Sequence, residues 1–270
     1  MAEVKSPRES RPGRDSHIEV SDGALIPGRG EKSTFSAWRI SFFGAIGVLV
    51  YLFVFKPHPY RDIIVFLPDG ILKTFEVTLL SIACSLILGL LTGVGRISKI
   101  LIINRIATIY VEIIRGIPLL VQIFYIYYAL GKIIQVPDIF AAVIAMTVCY
   151  GAYLGEIFRA GIQSIHKGQM EAAIALGLTR GQALRRIILP QTFRVVLPPL
   201  GYEFIALLKD SSLVSILAVS DLLRRGREYA SKTFDYFEAF TVVALVYLVF
   251  TLFFSRLVAL MEERMNRRGR

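Results

Sequence analysis

Apolar residues in this chain gather into six long runs that are separated by shorter polar stretches. A run of about 20 apolar residues, folded as a helix, matches the thickness of a lipid bilayer. The pattern therefore predicts an all-α membrane protein with about six transmembrane helices. The predicted spans are 37–55, 74–94, 106–130, 139–158, 193–208 and 240–260. Residues 56–72, which contain three prolines, are predicted to form an outer loop.

Prolines and glycines interrupt several of these runs. Pro118 predicts a kink within the third span, because proline removes a backbone hydrogen bond. Pro198 and Pro199 predict a kinked or broken cytoplasmic end of the fifth span. Glycine pairs at a spacing of four allow helices to approach closely. Such pairs lie in the second span (Gly89 and Gly93) and in the fourth span (Gly151 and Gly155).

The polar stretch between the fourth and fifth spans, residues 163–193, is too long for a simple turn. Between Glu171 and Pro190 it reads E-A-A-x3-G-x9-I-x-L-P. This spacing resembles the signature of bacterial ABC-importer permeases, and the resemblance implies a loop that binds an ATP-driven motor subunit. An ordinary amphipathic interfacial loop is the alternative, which helix-forming residues alone would favour.

Local signals divide this stretch into two short helices. Residues 169–177 are rich in strong helix formers, and Gly177 can end a helix by taking a left-handed conformation. Thr179 and Gln182 fit a capping box, in which each side chain bonds the backbone of the other residue. The second helix is predicted over 180–189, with Pro190 ending it.

The basic residues determine the predicted topology. The net charge is +10, and most of the cations flank the apolar runs, as the positive-inside rule requires. Residues 1–34, 96–105, 159–194 and 261–270 are therefore placed in the cytoplasm, together with both termini. One loop disagrees: residues 220–237 should lie outside, yet they contain Arg224, Arg225, Arg227 and Lys232.

Composition narrows the class of protein. The chain is 54% hydrophobic and 19% charged, which is more apolar than a typical soluble domain. Nucleic acid binding is excluded as the reason for the positive charge, because the cations follow the spans. Cys84 and Cys149 do not have metal-ligand spacing, and the three histidines are far apart, so no metal site is predicted. The stretch 28–33 lacks the spacing of a phosphate-binding loop, so no ATP site is predicted here.

The predicted organisation has four parts. Residues 1–34 form a disordered cytoplasmic tail, since their polar composition cannot support a packed core. Residues 35–72 form an additional N-terminal transmembrane helix and an outer loop. Residues 73–262 form a five-helix permease core, and 263–270 form a basic C-terminal tail.

Three further segments carry a family resemblance. Residues 110–122 resemble the V-E-x-x-R-G-T-P-L-L-V-Q segment of polar amino acid permeases, with Ile117 in place of the usual threonine. Residues 152–162 resemble the A-Y-x-x-E-I-x-R-A-G-I run of that family. Residues 208–215 resemble its L-K-D-T-S-L-V-S run, with serine for threonine. These permeases are the membrane subunits of histidine, glutamine and arginine importers, and the resemblance covers about residues 70–265.

The resemblance implies the transmembrane domain of a type I ABC importer in the bacterial inner membrane. Two permease chains, identical or paralogous, would form the pathway, and a soluble substrate-binding protein would deliver an amino acid from outside. Two ATP-binding subunits would hold the ATP and Mg²⁺, so this chain would be a transport subunit without a cofactor and not an enzyme. The residues expected to contact the ATPase are Glu171, Ala172, Ala173, Gly177 and Leu178. The first span lies outside the usual five-span core.

Polar groups within the predicted spans or directly after them are candidates for the substrate pathway, because ionisable residues at membrane depth usually face a partner or a water-filled cavity. A structural role is the alternative for each, such as an ion pair between Glu112 and Arg115, which are three residues apart. The candidates are Glu112, Arg115, Gln122, Glu156, Lys209, Asp210, Ser211 and Ser212.

Other functional classes stay open from the residues alone. A secondary transporter or channel could use the same charges without an ATPase, although no internal repeat is evident. An intramembrane enzyme would need a nucleophile with a base, and Ser211 and Lys209 lack supporting motifs. A permease for another small solute, such as an opine or organic ion, is the nearer alternative.

Overall fold

The computed structural model describes residues 37–133 and 137–267, in which every regular element is helical. The predicted disordered tail, 1–34, lies outside the described residues, as do the last three residues of the basic C-terminal tail. The helices are α1 (Ala37–Phe55), α2 (Pro57–Phe66), α3 (Pro68–Arg96), α4 (Leu101–Gly116), α5 (Leu119–Ile133), α6 (Asp138–Gln163), α7 (Lys167–Ala175), α8 (Arg180–Ala183), α9 (Leu189–Asp210), α10 (Leu222–Thr233) and α11 (Tyr236–Arg267).

Within the described residues, four helical stretches are long and apolar enough to cross a membrane. They are Ala37–Phe55, Pro57–Arg96, Asp138–Gln163 and Tyr236–Met265, and a fifth span arises if α4 and α5 together make one crossing. The structure thus has fewer clear spans than the six predicted. The missing one is α9, which is long enough but less apolar.

The third predicted span is wrong in one respect: it is two helices, not one kinked helix. The axes of α4 and α5 meet at 110°. Ile117 at the break is extended (φ −112°, ψ 133°), because a residue before proline is driven away from the helical region. The buried side chain of Gln122 donates hydrogen bonds to the carbonyls of Ile114 (2.6 Å) and Ile117 (2.7 Å), which the break has freed.

The predicted helix end at Pro190 is also wrong. After α8 the chain makes a π-helical turn, Leu184–Ile188, and continues into α9 without a loop. Pro190 lies in the first turn of α9, directly after the π-helical turn. Proline therefore does not end the helical path here, and α9 continues through Pro198 and Pro199.

Two stretches predicted as outer loops are largely helical. Residues 56–72 contain α2 and the start of α3, and residues 220–237 contain α10. These helices pack on each other and on α11 around a buried apolar cluster. Its members include Ile63, Leu67, Leu222, Ala230 and Val243.

The centre of the fold is the pair α3 and α6. The predicted close approach at glycines is confirmed: a Cβ at Gly89 would lie 2.6 Å from Leu154 Cβ, and one at Gly93 would lie 2.7 Å from the Gly155 carbonyl oxygen. Such distances leave no room for a side chain. The two helices are therefore packed backbone to backbone.

By contrast α1, confirmed at its predicted bounds, is mostly exposed and contacts α11, where Trp38 Nε1 donates to the Leu252 carbonyl (2.9 Å).

Candidate functional site

The segment from 166 to 183, here called the coupling segment, is built by local hydrogen bonds. The imidazole of His166 accepts from the backbone N–H of Gly168 (3.1 Å) at the start of α7. Gly177 ends this helical turn with φ +82°, a conformation that a residue with a Cβ rarely adopts. The Leu178 N–H then donates to the Ala173 carbonyl (3.1 Å). This closure matches the predicted glycine stop.

The predicted capping box is confirmed at the start of α8. The Gln182 N–H donates to Thr179 Oγ1 (3.3 Å), and the Thr179 N–H donates to Gln182 Oε1 (3.0 Å). Both bonds satisfy backbone donors that a helix start leaves without partners. The two short helices are thus fixed by their own sequence.

The five predicted coupling residues do not share one environment. Glu171, Ala172 and Gly177 are exposed, and Leu178 is half-buried. Ala173 is 1% exposed, so it packs within the chain and is not part of an open surface, contrary to the prediction. The buried side chains of this packing are Ala173, Ala183 and Ile188.

Sequence reasoning missed the apolar part of this surface. Leu176 is 84% exposed, while Ile174 and Leu184 are 41% and 43% exposed. Several large apolar side chains exposed within one short polar segment indicate an interaction surface. The signal was present in the sequence, because Leu176 directly precedes the helix-ending glycine.

A second constellation lies where α4, α6 and α9 meet, at the depth of the predicted spans, and we call it the membrane-depth polar face: Arg115, Tyr150, Tyr153, Glu203 and Asp210. Tyr150, near the middle of α6, donates its hydroxyl to Asp210 Oδ2 (2.8 Å). The guanidinium of Arg115 lies 5.4 Å from the centre of the Tyr153 ring, within cation–π range. Glu203 lies seven residues before Asp210 on α9, which is on the same helix face. Three helices therefore meet here with charges of both signs.

The pathway candidates divide into those the structure brings together and those it does not. Arg115 and Asp210 belong to the membrane-depth polar face. Glu112 and Arg115 are exposed on α4, and within the described ranges they form no ion pair with each other, which was the structural alternative for these two residues. With Arg105 and Thr108 they follow one side of α4 at spacings of three and four residues, which is one helix face.

The remaining candidates have other surroundings. Gln122 is buried and bonds the broken backbone between α4 and α5. Glu156 is held between Arg96 and Arg159. Ser211 is buried and donates to the Leu208 carbonyl (2.8 Å). Lys209 is exposed and Ser212 is half-buried.

Glu203 and the two tyrosines were not among the candidates. Glu203 is seven residues before Asp210 on α9, so both fall on one helix face. An acid in a predicted span is a candidate by default, and that rule would have found Glu203. Nothing in the sequence placed Tyr150 and Tyr153 opposite α9, because that contact depends on the packing of α6.

A buried acidic residue caps the start of α10. Asp221 is fully buried and accepts from the N–H groups of Leu223 (3.2 Å) and Arg224 (3.1 Å) at the start of α10. Burial raises the pKa of this carboxyl to about 6. Burial also acts on Glu228, but hydrogen bonds from Arg224 and Arg225 outweigh it and hold the pKa of Glu228 below its usual value.

This arrangement is similar to known transport proteins. Residues 85–267 match the family of binding-protein-dependent transport system inner membrane components. The glutamine transport system permease protein GlnP of Escherichia coli is 38% identical over 201 residues, 73% of this chain and 92% of that protein. The L-cystine transport system permease protein TcyB of Bacillus subtilis is 40% identical over 207 residues, 74% of this chain and 87% of that protein.

Solved structures agree with these matches. The crystal structure of an amino acid ABC transporter with histidines superimposes with a TM-score of 0.71 at 39% identity, covering 79% of this chain and 98% of that chain. The MetNI methionine ABC transporter in an inward-facing conformation gives a TM-score of 0.60 at 23% identity, which is a likeness of fold alone.

Proposed function

This chain belongs to the family of inner membrane permeases that serve binding-protein-dependent amino acid importers, and we propose that its membrane-depth polar face lines the path of a polar amino acid. It is the multi-pass permease component of an ABC importer, and ATP hydrolysis lies in partner subunits. The permease itself carries no cofactor in this family. The sites and the assembly described next are the proposal.

The observation that carries the proposal is a set of charges open at membrane depth. Arg115 and Lys209 are exposed, and Glu203 and Asp210 are half-buried. Hydrocarbon does not solvate such groups, so they must face protein or water. A second permease chain, identical or paralogous, would cover this face and enclose a polar path between the two chains.

The chemistry of the face suits a zwitterion. The carboxylates of Glu203 and Asp210 can bind an ammonium group, and the Arg115 guanidinium can bind a carboxylate in a bidentate manner. The relatives with the names given above transport glutamine and L-cystine, both of which carry these two groups. We therefore assign a polar amino acid as the substrate. Glu112 and Lys209 border the path, while Gln122, Glu156, Ser211 and Ser212 support it without lining it.

The coupling segment is the proposed grip of the ATPase. Glu171, Ala172 and Gly177 offer a surface with little side-chain bulk, and Leu176 offers an apolar contact that water does not favour. Two ATP-binding subunits, which hold ATP and Mg²⁺, would each bind one coupling segment. ATP binding would draw the two segments together and open the path outward, and hydrolysis would reverse the movement.

The outer surface is proposed to receive a substrate-binding protein. With α1 crossing from the cytoplasm, α2, α10 and the start of α11 lie on the outside, and both termini lie in the cytoplasm. Two of the four cations of α10 that disagreed with the positive-inside rule form ion pairs with acids. Arg225 pairs with Asp69 (2.9 Å) and Glu228 (3.2 Å), and Arg224 pairs with Glu228 (3.0 Å).

The path is tested by amino acid uptake into proteoliposomes that contain the complete complex. Glu203→Gln keeps the shape of the side chain and removes its charge. We expect the KM for uptake to rise by about tenfold or more, since a hydrogen bond to a charged group contributes about 1.5–3 kcal/mol. Glu263→Gln, an exposed acid at the other end of α11 and outside the proposed sites, is the control and leaves KM unchanged. Unchanged kinetics for Glu203→Gln would reject the path through this face.

The grip is tested by purifying the permease and measuring the ATPase subunits that come with it. Glu171→Arg reverses a charge on the exposed side of α7 and is expected to release these subunits. Glu263→Arg, an exposed acid near the cytoplasmic end of α11, should retain them. A permease that is purified alone, without any ATP-binding subunit, would instead support an ATP-independent transporter.

A further inference from the structure

Three charged side chains form a cluster near the proposed cytoplasmic ends of α3 and α6, and we call it the charge node: Arg96, Glu156 and Arg159. Glu156 accepts from Arg96 on α3 through one oxygen, and from Arg159 Nε at 3.0 and 3.1 Å. The side chains are between 17% and 28% exposed. One carboxylate therefore holds two guanidinium groups, in an environment that water reaches only in part.

The node joins three helices. The bond between Glu156 and Arg159 lies within α6, whereas the bond between Glu156 and Arg96 crosses from α6 to α3. The side chain of Asn104, in the first turn of α4, donates to the carbonyl of Arg96. The start of α4 is thereby attached to the same point. Glu156 is thus the acid through which α6 is linked to the turn that carries α4.

The node also lies between the two functional regions. It is seven residues from Gln163, the last residue of α6, after which the coupling segment begins. At 1.5 Å per residue this is about 10 Å along the helix. On the other side Tyr153, a member of the membrane-depth polar face, is one turn away from Glu156. Any movement of α7 that reaches the polar face along α6 must pass the node.

The contacts on either side explain why a polar link is needed. Along Gly89, Gly93 and Gly155 the two helices touch through backbone and small side chains, which fix their distance but offer no directional bond. Dispersion contacts of this kind are individually weak and have no preferred direction. A charge-assisted pair has a preferred geometry. The Arg96–Glu156 bond therefore fixes α3 against α6 along their axes.

We propose that Glu156 is a positioning residue that makes α3 and α4 follow α6 when the ATPase moves the coupling segment. It acts through Arg96 and does not contact the amino acid. Because α4 carries Arg115, this link converts a movement of α7 into a movement of the polar face. The inference rests on the proposed function, and it adds the part that transmits force between the two sites.

Substitutions that separate the two bonds of Glu156 test this role. Arg96→Gln breaks the link between helices and leaves the pair within α6, whereas Arg159→Gln does the reverse. Glu156→Gln breaks both. Each variant is reconstituted as the complete complex with its binding protein, and ATP hydrolysis and amino acid uptake are measured on the same proteoliposomes.

We expect Arg96→Gln and Glu156→Gln to retain the ATPase subunits and to hydrolyse ATP at a rate near that of the parent complex. The amino acid transported per ATP should fall by at least about fivefold, the lower end of usual allosteric coupling. Arg159→Gln should lose less. Exchanging the charges, with Arg96→Glu and Glu156→Arg together, should restore part of the lost coupling.

The control is Glu76→Gln, which breaks the exposed Lys73–Glu76 pair (2.7 Å) near the other end of α3 and should change nothing. An equal fall in hydrolysis and uptake in Glu156→Gln, with a lower melting temperature, would mean a purely structural role and would overturn the proposal. So would uncoupling by Arg159→Gln with full coupling in Arg96→Gln. Failure of Glu171→Arg to release the ATPase would reject the coupling surface instead, independently of the node.

Discussion

The coupling segment and the membrane-depth polar face are built in opposite ways. The first is continuous in sequence, and its shape depends on bonds between residues two to five positions apart, such as that from Leu178 to Ala173. The second is assembled from α4, α6 and α9, with Tyr150 bonded to Asp210 sixty residues away. A substitution in the coupling segment can therefore leave the rest of the fold unchanged. A substitution in the membrane-depth polar face alters contacts between three helices.

Gly177→Arg tests this contrast and is expected to have the largest effect on uptake. A Cβ at Gly177 meets no atom within 4 Å, so the arginine side chain projects from the coupling segment and blocks the ATPase. We expect the loss of uptake to be nearly complete and the helical content to stay unchanged, measured by proteoliposome transport and circular dichroism.

Gly131→Arg is the matched control for that variant. Gly131, in α5, likewise has open space around it and lies outside both proposed sites. It should retain both uptake and the bound ATPase subunits. Normal uptake by Gly177→Arg would break the comparison, because the coupling segment would then not be a docking surface.

Asp210→Ala tests the membrane-depth polar face. It removes a charge and the acceptor of the Tyr150 hydroxyl, so we expect uptake to fall by about tenfold or more, following the usual cost of a lost bond to a charged group. Tyr150→Phe removes the same bond but keeps the carboxylate, and should cost only a few-fold. Equal losses in the two variants would assign the effect to the bond and not to the charge. Assembly with the ATPase subunits is the parallel readout and should persist in both.

The two regions also differ in how far the sequence predicts them. The glycine stop at 177 and the capping box at 179–182 followed from residue type and spacing, because the bonds that make them are local. The prediction that Pro190 ends a helix was wrong. Proline can end a helix or lie in the first turn of one, and residue type alone did not reveal the π-helical turn Leu184–Ile188 that leads into α9.

Tertiary contacts account for what the sequence leaves open at the polar face. Glu112 and Arg115 have the spacing of an ion pair, yet Arg115 lies over Tyr153 on another helix. The break at Ile117 was foreseen as a kink, but its angle depends on where α5 finds apolar contacts on α6. Composition predicts most of the transmembrane spans, whereas the packing of the helices determines which polar side chains contact one another.

A comparison of two helix caps extends the contrast to α10. Thr179 caps α8 in solvent, whereas Asp221 caps α10 in the interior. The folded-state pKa of Asp221 is raised from 3.8 to about 6. An acid whose pKa is raised in the folded state stabilises the fold at pH values below its unfolded-state pKa. This contribution to the free energy of unfolding is lost as the pH rises through the folded-state pKa. Wild type should therefore lose stability between about pH 4 and 7.

Asp221→Asn keeps an acceptor for the cap and removes the titration. We expect its melting temperature to vary less over that range, with a gain on the order of 5 °C over wild type at pH 7. Melting curves in detergent at several pH values provide the measurement. Parallel pH dependence in the two proteins would mean that Asp221 does not titrate in this window.

The smallest expected effect comes from replacing Gly177 or Gly181 by alanine. Both glycines lie in the coupling segment with open space around them, and they differ in backbone conformation. A methyl group added at Gly177 or at Gly181 would meet open space, but of these two glycines only Gly177 has a positive φ. Gly177→Ala should destabilise the turn by about 1 kcal/mol, and Gly181→Ala, within a helix, should stabilise it by about 0.5 kcal/mol. Hydrogen exchange at the Leu178 amide is expected to become several-fold faster in the first variant and not in the second. Faster exchange in both variants would mean that the segment is held by contacts beyond its own residues, and its independence from the rest of the fold would be lost.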